Sequence, residues 1–177
     1  MNTSDKLNLE KYIGRSRSDK HKGDSILIQI GVIGAGSCDE KVSKMAEAVG
    51  AGIAKKNATL ICGGLGGVME AASKGCKAAG GQTIGILPGK QKEDANQYID
   101  HIIVTSMGHA RNAIIAQSCD ALIAVDGEYG TLSEIALSLK MGKPVVTLGS
   151  KWDIEDTWVA ASPEDAVEIS MRLILTK

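Results

Sequence analysis

Short apolar runs alternate with longer amphipathic segments along most of this chain. The run at 26–33, Ile-Leu-Ile-Gln-Ile-Gly-Val-Ile, predicts a strand, and a helical pattern follows over 39–56. A second strand is expected at 58–62 and a helix from 68, stopped by Gly80-Gly81. Further strands are expected at 82–87, closed by Pro88-Gly89, and at 101–105. A helix then enters through 106–112 and runs to about 118, capped by Ser106 or Thr105, with Ala110, Ala113, Ile114 and Gln117 on one face and Arg111 and Ile115 on another. The stretch 121–125, Ala-Leu-Ile-Ala-Val, reads as a strand buried on both faces. Behind it, Leu132, Ile135, Ala136 and Leu139 recur at helical spacing, with Thr131 as the cap, and the helix stops at Gly142. A strand at 144–148 and an edge-wrapping segment at 151–161 precede Ser162-Pro163-Glu164-Asp165. That tetrad is a helix start: a capping Ser, Pro at the first position and acids in the first turn.

Strands alternating with helices predict an α/β fold, Rossmann-like and doubly wound. Its mainly parallel sheet should have about six to seven strands, with helices on both faces. Residues 25–177 read as a single nucleotide- or phosphate-binding domain. Residues 1–24 are polar and mixed in charge, and predict a flexible tail.

Composition then narrows the function. A formal net charge of −1 and 3% aromatic residues argue against a nucleic-acid partner. No apolar run reaches membrane-spanning length, so no membrane partner is expected. Cys38, Cys62, Cys76 and Cys119 lack metal-ligand or paired spacing. They read as free thiols in a reducing cytoplasm, with no metal site. Cys62, Cys119 and Met107 read as packing residues.

Three Gly-bearing turns follow strands, where open α/β sheets hold ligands. The first carries Gly34, Gly36 and Ser37. It is not a dinucleotide fingerprint, because Asp39 stands at the third glycine position and the next strand ends without an acid. The second carries Gly63, Gly64, Gly66 and Gly67. So many glycines cost backbone entropy, which either a ligand pressed against the backbone or close helix–sheet packing explains. The third, Asp126-Gly127-Glu128-Tyr129-Gly130-Thr131-Leu132-Ser133-Glu134, joins a strand to a helix whose N-terminus favours an anion.

With these motifs placed, the chain from 26 to its end resembles the LOG family, once labelled lysine decarboxylases, and within it the molybdenum-cofactor-carrier-like branch. The family signature Pro-Gly-Gly-x-Gly-Thr-x-x-Glu is matched at Gly127, Gly130, Thr131 and Glu134, and departed from at Asp126 and Glu128. A second motif, Met-His-x-Arg-Lys, corresponds to Met107-Gly108-His109-Ala110-Arg111-Asn112, with one inserted Gly and Asn112 in place of Lys. In the LOG enzymes the resemblance implies cleavage of the N-glycosidic bond of a nucleoside 5′-monophosphate, with Arg111 and Glu134 at the catalytic positions. A carboxylate beside the sugar stabilises an oxocarbenium-like state, and the arginine fixes a phosphate or hydroxyls and keeps the carboxylate ionised. The same two residues would also serve as a plain ion pair between helices. No lysine stands out for pyridoxal phosphate chemistry.

Two readings remain. One is a carrier that binds a small phosphorylated ligand, a nucleotide or a molybdenum cofactor, without turnover and with no required cofactor. The other is a phosphoribohydrolase. Glu128 opposes a phosphate in its turn and Asn112 removes a positive charge, which favours the carrier. The ligand-binding residues expected are Gly34, Gly36, Ser37, Gly63, Gly64, Gly66, Gly67, Met107, Arg111, Asn112, Gly127, Gly130 and Thr131. The expected assembly is a homo-oligomer, dimer or tetramer.

Overall fold

The computed structural model describes residues 27–176, so the tail expected at 1–24 lies outside the described residues. Seven strands pair in parallel, in the order β4-β3-β2-β1-β5-β6-β7. They are β1 (Gln29–Gly34), β2 (Thr59–Cys62), β3 (Thr83–Leu87), β4 (His101–Val104), β5 (Ala121–Val125), β6 (Val145–Leu148) and β7 (Trp158–Val159). The helices are α1 (Glu40–Lys55), α2 (Val68–Ala78), α3 (Asn112–Ser118), α4 (Tyr129–Lys140) and α5 (Pro163–Leu175). The expected Rossmann-like α/β architecture is the one observed.

The period of two along the strands divides the core into two layers. Ile30 and Val32 of β1, with Ile123 and Val125 of β5, pack with residues of α1, α2 and α5. Ile33, Leu122 and Ala124 point the other way, toward Ile115 of α3 and Ile135 of α4. Every residue of β5 is buried, as a central strand covered on both faces requires. Helix starts follow local chemistry. Asp39 accepts the Val42 N–H at 2.8 Å to open α1, and Ser162 accepts the Asp165 N–H at 3.2 Å to open α5, with Pro163 first in the helix.

Two helices depart from expectation. Helix α4 begins at Tyr129, so Thr131 lies inside its first turn and Glu134 lies in its second. Of the apolar stripe expected to face the sheet, only Ile135 is fully enclosed. The buried face is Thr131, Glu134, Ile135 and Ser138: Ile135 joins the apolar cluster, Glu134 meets Arg111, and Ser138 donates its hydroxyl to the Glu134 carbonyl. The segment before α3 is a 3-10 turn, Gly108–Arg111, with no side-chain cap. Thr105 instead donates its hydroxyl to the Leu87 carbonyl at 2.7 Å. Arg111 and Ile115 are on the buried side, and Ala110 is exposed.

The order in which successive strands are laid down reverses at the centre of the sheet. β1 leads outward to β2, β3 and β4, whereas β5 leads to β6 and β7. β1 and β5 are nonetheless neighbours, paired as far as Gly34 with Val125. The loops leaving them diverge, and a crevice opens between them at the carboxyl ends of the strands. Among the described residues no helix is long and apolar enough to cross a membrane.

Candidate functional site

The crevice is a cavity of about 230 Å3. The turn after β1 supplies Gly34, Ala35 and Gly36, and the turn after β2 supplies Gly63 and Leu65, with Met69 behind them. The facing wall consists of His109, Arg111 and Asn112 from the segment entering α3, and Glu128, Gly130, Thr131 and Glu134 from the start of α4.

Arg111 and Glu134 meet in this cavity. Arg111 Nη1 donates to Glu134 Oε1 at 3.1 Å and to Asn112 Oδ1 at 2.9 Å, and both members of the ion pair are buried. Arg111 Nε is also buried and has no partner among the described residues. Burial raises the Glu134 carboxyl from its ordinary range to about 7, and the neighbouring arginine offsets only part of that rise. Arg111 thus acts in the expected direction, favouring the ionised carboxylate, but burial acts against it more strongly. The helix dipole adds little, because Glu134 lies beyond the first turn.

Asn112 orients the wall. It accepts from Arg111, and its amide group donates to Ser133 Oγ at 3.0 Å and to the Gly130 carbonyl at 3.4 Å. Its polar atoms are therefore engaged within the protein, holding the first turn of α4 against the arginine. Thr131 lines the cavity, and its buried hydroxyl has no partner among the described residues. Glu128 stands just before α4 and lines the mouth of the cavity in an exposed position, making no capping bond.

The turn after β5 has a conformation of its own. Asp126 has φ 50 and donates its N–H to the Leu148 carbonyl at 2.9 Å. Proline satisfies neither condition, since its ring fixes φ near −65° and removes the donor. The departure from the family signature at this position is thus built into the backbone. Likewise Gly108, the inserted residue of the second motif, has φ 53.

The glycines after β2 have mostly internal causes. A side chain at Gly63 would run into the Arg111 guanidinium, and one at Gly67 into the Ala35 carbonyl. Gly67 also has φ 63 and Gly64 has φ 73. Packing of this turn against its neighbours accounts for these three, leaving no need to invoke a ligand. Gly36 and Gly130 differ: both line the cavity, and a Cβ at either would meet nothing within 4 Å.

Of the expected site residues, the cavity brings together Gly34, Gly36, Gly63, Arg111, Asn112, Gly130, Thr131 and Glu134. Ser37, Gly64, Gly66, Gly67, Met107 and Gly127 stand outside its lining. Met107 is 49% exposed, so it is not the packing residue expected. Burial pushes the Cys62 and Cys119 thiols up, which fits their reading as core residues. Leu65 and Met69 also enter the lining, although nothing in the sequence pattern singled them out.

Comparison with known proteins places this geometry in context. A family model described as the SLOG cluster4 family matches residues 27–173. The structure of the molybdenum cofactor binding protein from Rippkaea orientalis superposes with a TM-score of 0.80 at 39% identity, covering 85% of this chain and 99% of that one. The molybdenum cofactor carrier protein from Chlamydomonas reinhardtii gives 0.78 at 38% identity, with coverage of 85% and 99%. An Archaeoglobus fulgidus protein is 55% identical over 141 residues, 80% of this chain and 93% of that protein. The cytokinin riboside 5′-monophosphate phosphoribohydrolase of Mycobacterium tuberculosis is 38% identical over 96 residues, 52% of this chain and 51% of the enzyme. The alignment with that enzyme thus spans only about half its length.

Proposed function

The chain belongs to the SLOG cluster4 family, and from that premise we propose that it binds a small phosphorylated ligand, a nucleotide or a molybdopterin-type cofactor, and holds it without turnover. The observation that carries the reading is that two residues lining the crevice, Arg111 and Thr131, carry buried polar atoms, Nε and Oγ1, with no partner among the described residues. Buried polar atoms cost free energy unless bonded, and a ligand in the crevice is what would engage these two. Gly36 and Gly130 leave backbone open for a ligand to approach closely. The residues present therefore suit a phosphorylated cofactor. Thr131, Arg111 and the backbone at Gly36 and Gly130 would hold it, and a molybdopterin-type group would bring its own redox chemistry to whichever protein received it. The likeness to two molybdenum cofactor proteins along nearly their whole length supports the carrier form.

One observation favours a second reading. Arg111 and Glu134 stand side by side in the same cavity, and a carboxyl raised to about 7 can exchange a proton at neutral pH. A phosphoribohydrolase would use it on a nucleoside 5′-monophosphate, as the partial match to the mycobacterial enzyme suggests. Against this, an oxocarbenium-like state is stabilised by an ionised carboxylate, and Glu134 is only partly ionised at neutral pH. The experiment is base release from a panel of nucleoside 5′-monophosphates, with Glu134→Gln in parallel and mass spectrometry of any ligand that co-purifies. A phosphorylated ligand without base release is the expected result. Base release lost in Glu134→Gln would install the hydrolase.

A homo-oligomer, dimer or tetramer, forms part of the same proposal. Ile103, Val104 and Met107, close together in sequence at the end of β4, are all exposed.

A further inference from the structure

The crevice carries an electrostatic imbalance that the proposed function leaves unexplained. Its one arginine is engaged with Glu134 and Asn112. No lysine lines the wall, and His109 is the other side chain there able to carry positive charge. Glu128 adds a carboxylate at the mouth. Among the described residues it makes no ion pair and no side-chain hydrogen bond, and its backbone position is the one immediately before α4. The N–H groups opening that helix would ordinarily attract an anion. Here a fixed negative charge already stands beside them.

We propose that Glu128 is a specificity-determining residue: it disfavours a phosphate dianion over the first turn of α4 and favours a ligand that presents hydrogen-bond donors there, such as sugar hydroxyls or a ring N–H. The inference rests on reading the crevice as the site of a phosphorylated ligand, and it states which end of that ligand meets α4. Like charges within a few ångströms repel, whereas a carboxylate accepts strongly from hydroxyl and amine donors. Thr131 is compatible with this assignment, because a hydroxyl both donates and accepts. Glu128 is exposed at the mouth, so its charge acts through partly screened space and its effect falls with added salt.

The test is calorimetric binding of adenosine 5′-monophosphate and of adenosine to the full chain and to Glu128→Gln and Glu128→Gly, at low and high sodium chloride. Glu128→Gln is expected to tighten the monophosphate about tenfold relative to adenosine at low salt, and that gain should shrink at high salt. Glu128→Gly, which removes the acceptor altogether, should also weaken adenosine. Thermal melts check folding, and the exposed position predicts no change. A ratio of monophosphate to adenosine affinity that stays the same within about twofold in both variants overturns the inference while leaving the binding reading intact. If neither compound binds any of the three proteins, the nucleotide form of that reading falls, and the inference with it.

Discussion

Arg111 Nη1 and Glu134 Oε1 lie 3.1 Å apart, yet burial holds the glutamate near 7 despite the arginine beside it. A close ion pair in a poorly solvated place is not a fully charged one. With its carboxyl raised toward neutrality, the crevice should respond to pH in both stability and binding.

The first consequence concerns pH. Glu134 holds its proton more tightly when folded than when unfolded, so its contribution to stability is fully present below the unfolded value of about 4.5. That contribution is lost as pH rises through about 7, and it levels off above. The loss should be on the order of 1–3 kcal/mol. Chemical denaturation from pH 5 to 8 would measure it. Glu134→Gln should flatten this part of the profile, and a slope unchanged in that variant would refute the assignment.

Removing the arginine should cost stability in a pH-dependent way. Arg111→Met leaves Glu134 buried without its cation, and the expected loss is about 3 kcal/mol at pH 8. At pH 5 the carboxyl is protonated in either protein, so the loss should be smaller. Equal losses at both values would mean that packing, and not charge, dominates at Arg111.

On the proposed function, Thr131 should separate folding from binding. Its hydroxyl is buried with no partner. Thr131→Val should leave stability unchanged or raise it by about 1 kcal/mol, while weakening the ligand about tenfold through a lost hydrogen bond. Melting temperature and ligand affinity measured together give the answer, and a destabilised variant would point to a structural role.

Asp126 sets the conformation of its turn. Asp126→Pro, which restores the family's signature residue, should destabilise by about 3 kcal/mol because it clashes with the positive φ and removes the bond to Leu148. Asp126→Gly should be neutral or slightly stabilising. If the proline variant melts with the parent protein, the turn is more adaptable than its geometry implies.

Light scattering on untagged protein addresses the association state. A dimer or larger species is expected, and Met107→Glu should shift it toward monomer. A parent protein that elutes as a monomer removes this part of the proposal.

Much of the architecture was legible from pattern alone. The run at 121–125 coincides with β5, because a strand covered on both faces must be apolar throughout. Helix α4 was misjudged in orientation for the converse reason. Its inner face bears Thr131, Glu134 and Ser138 beside Ile135, and buried polar residues do not register in a hydrophobic period, which instead picked out Leu132, Ile135, Ala136 and Leu139. The meeting of Arg111 and Glu134 came from family resemblance, since residues on separate helices have no local signature. The protonation of Glu134 had no signature either, because desolvation depends on what surrounds the group in the folded chain. For the glycines after β2 the sequence left ligand approach and close packing as alternatives, and packing accounts for Gly63 and Gly67. Gly63 and Gly67 make room for Arg111 and Ala35, contacts that exist only once distant segments have packed.

The pairing of β1 with β5 bears on how the protein comes to exist in the cell. Ile30 must wait for Ala121 to be synthesised before the two can align, so the central seam of the sheet is a late, non-local closure. A nascent chain that has completed β1 through β4 can assemble one bank of the crevice, but the other has not yet left the ribosome. On the proposed function, ligand capture would become possible only when β5 docks and α4 folds behind it. A ligand so captured rewards the finished molecule alone, drawing the population away from half-assembled intermediates.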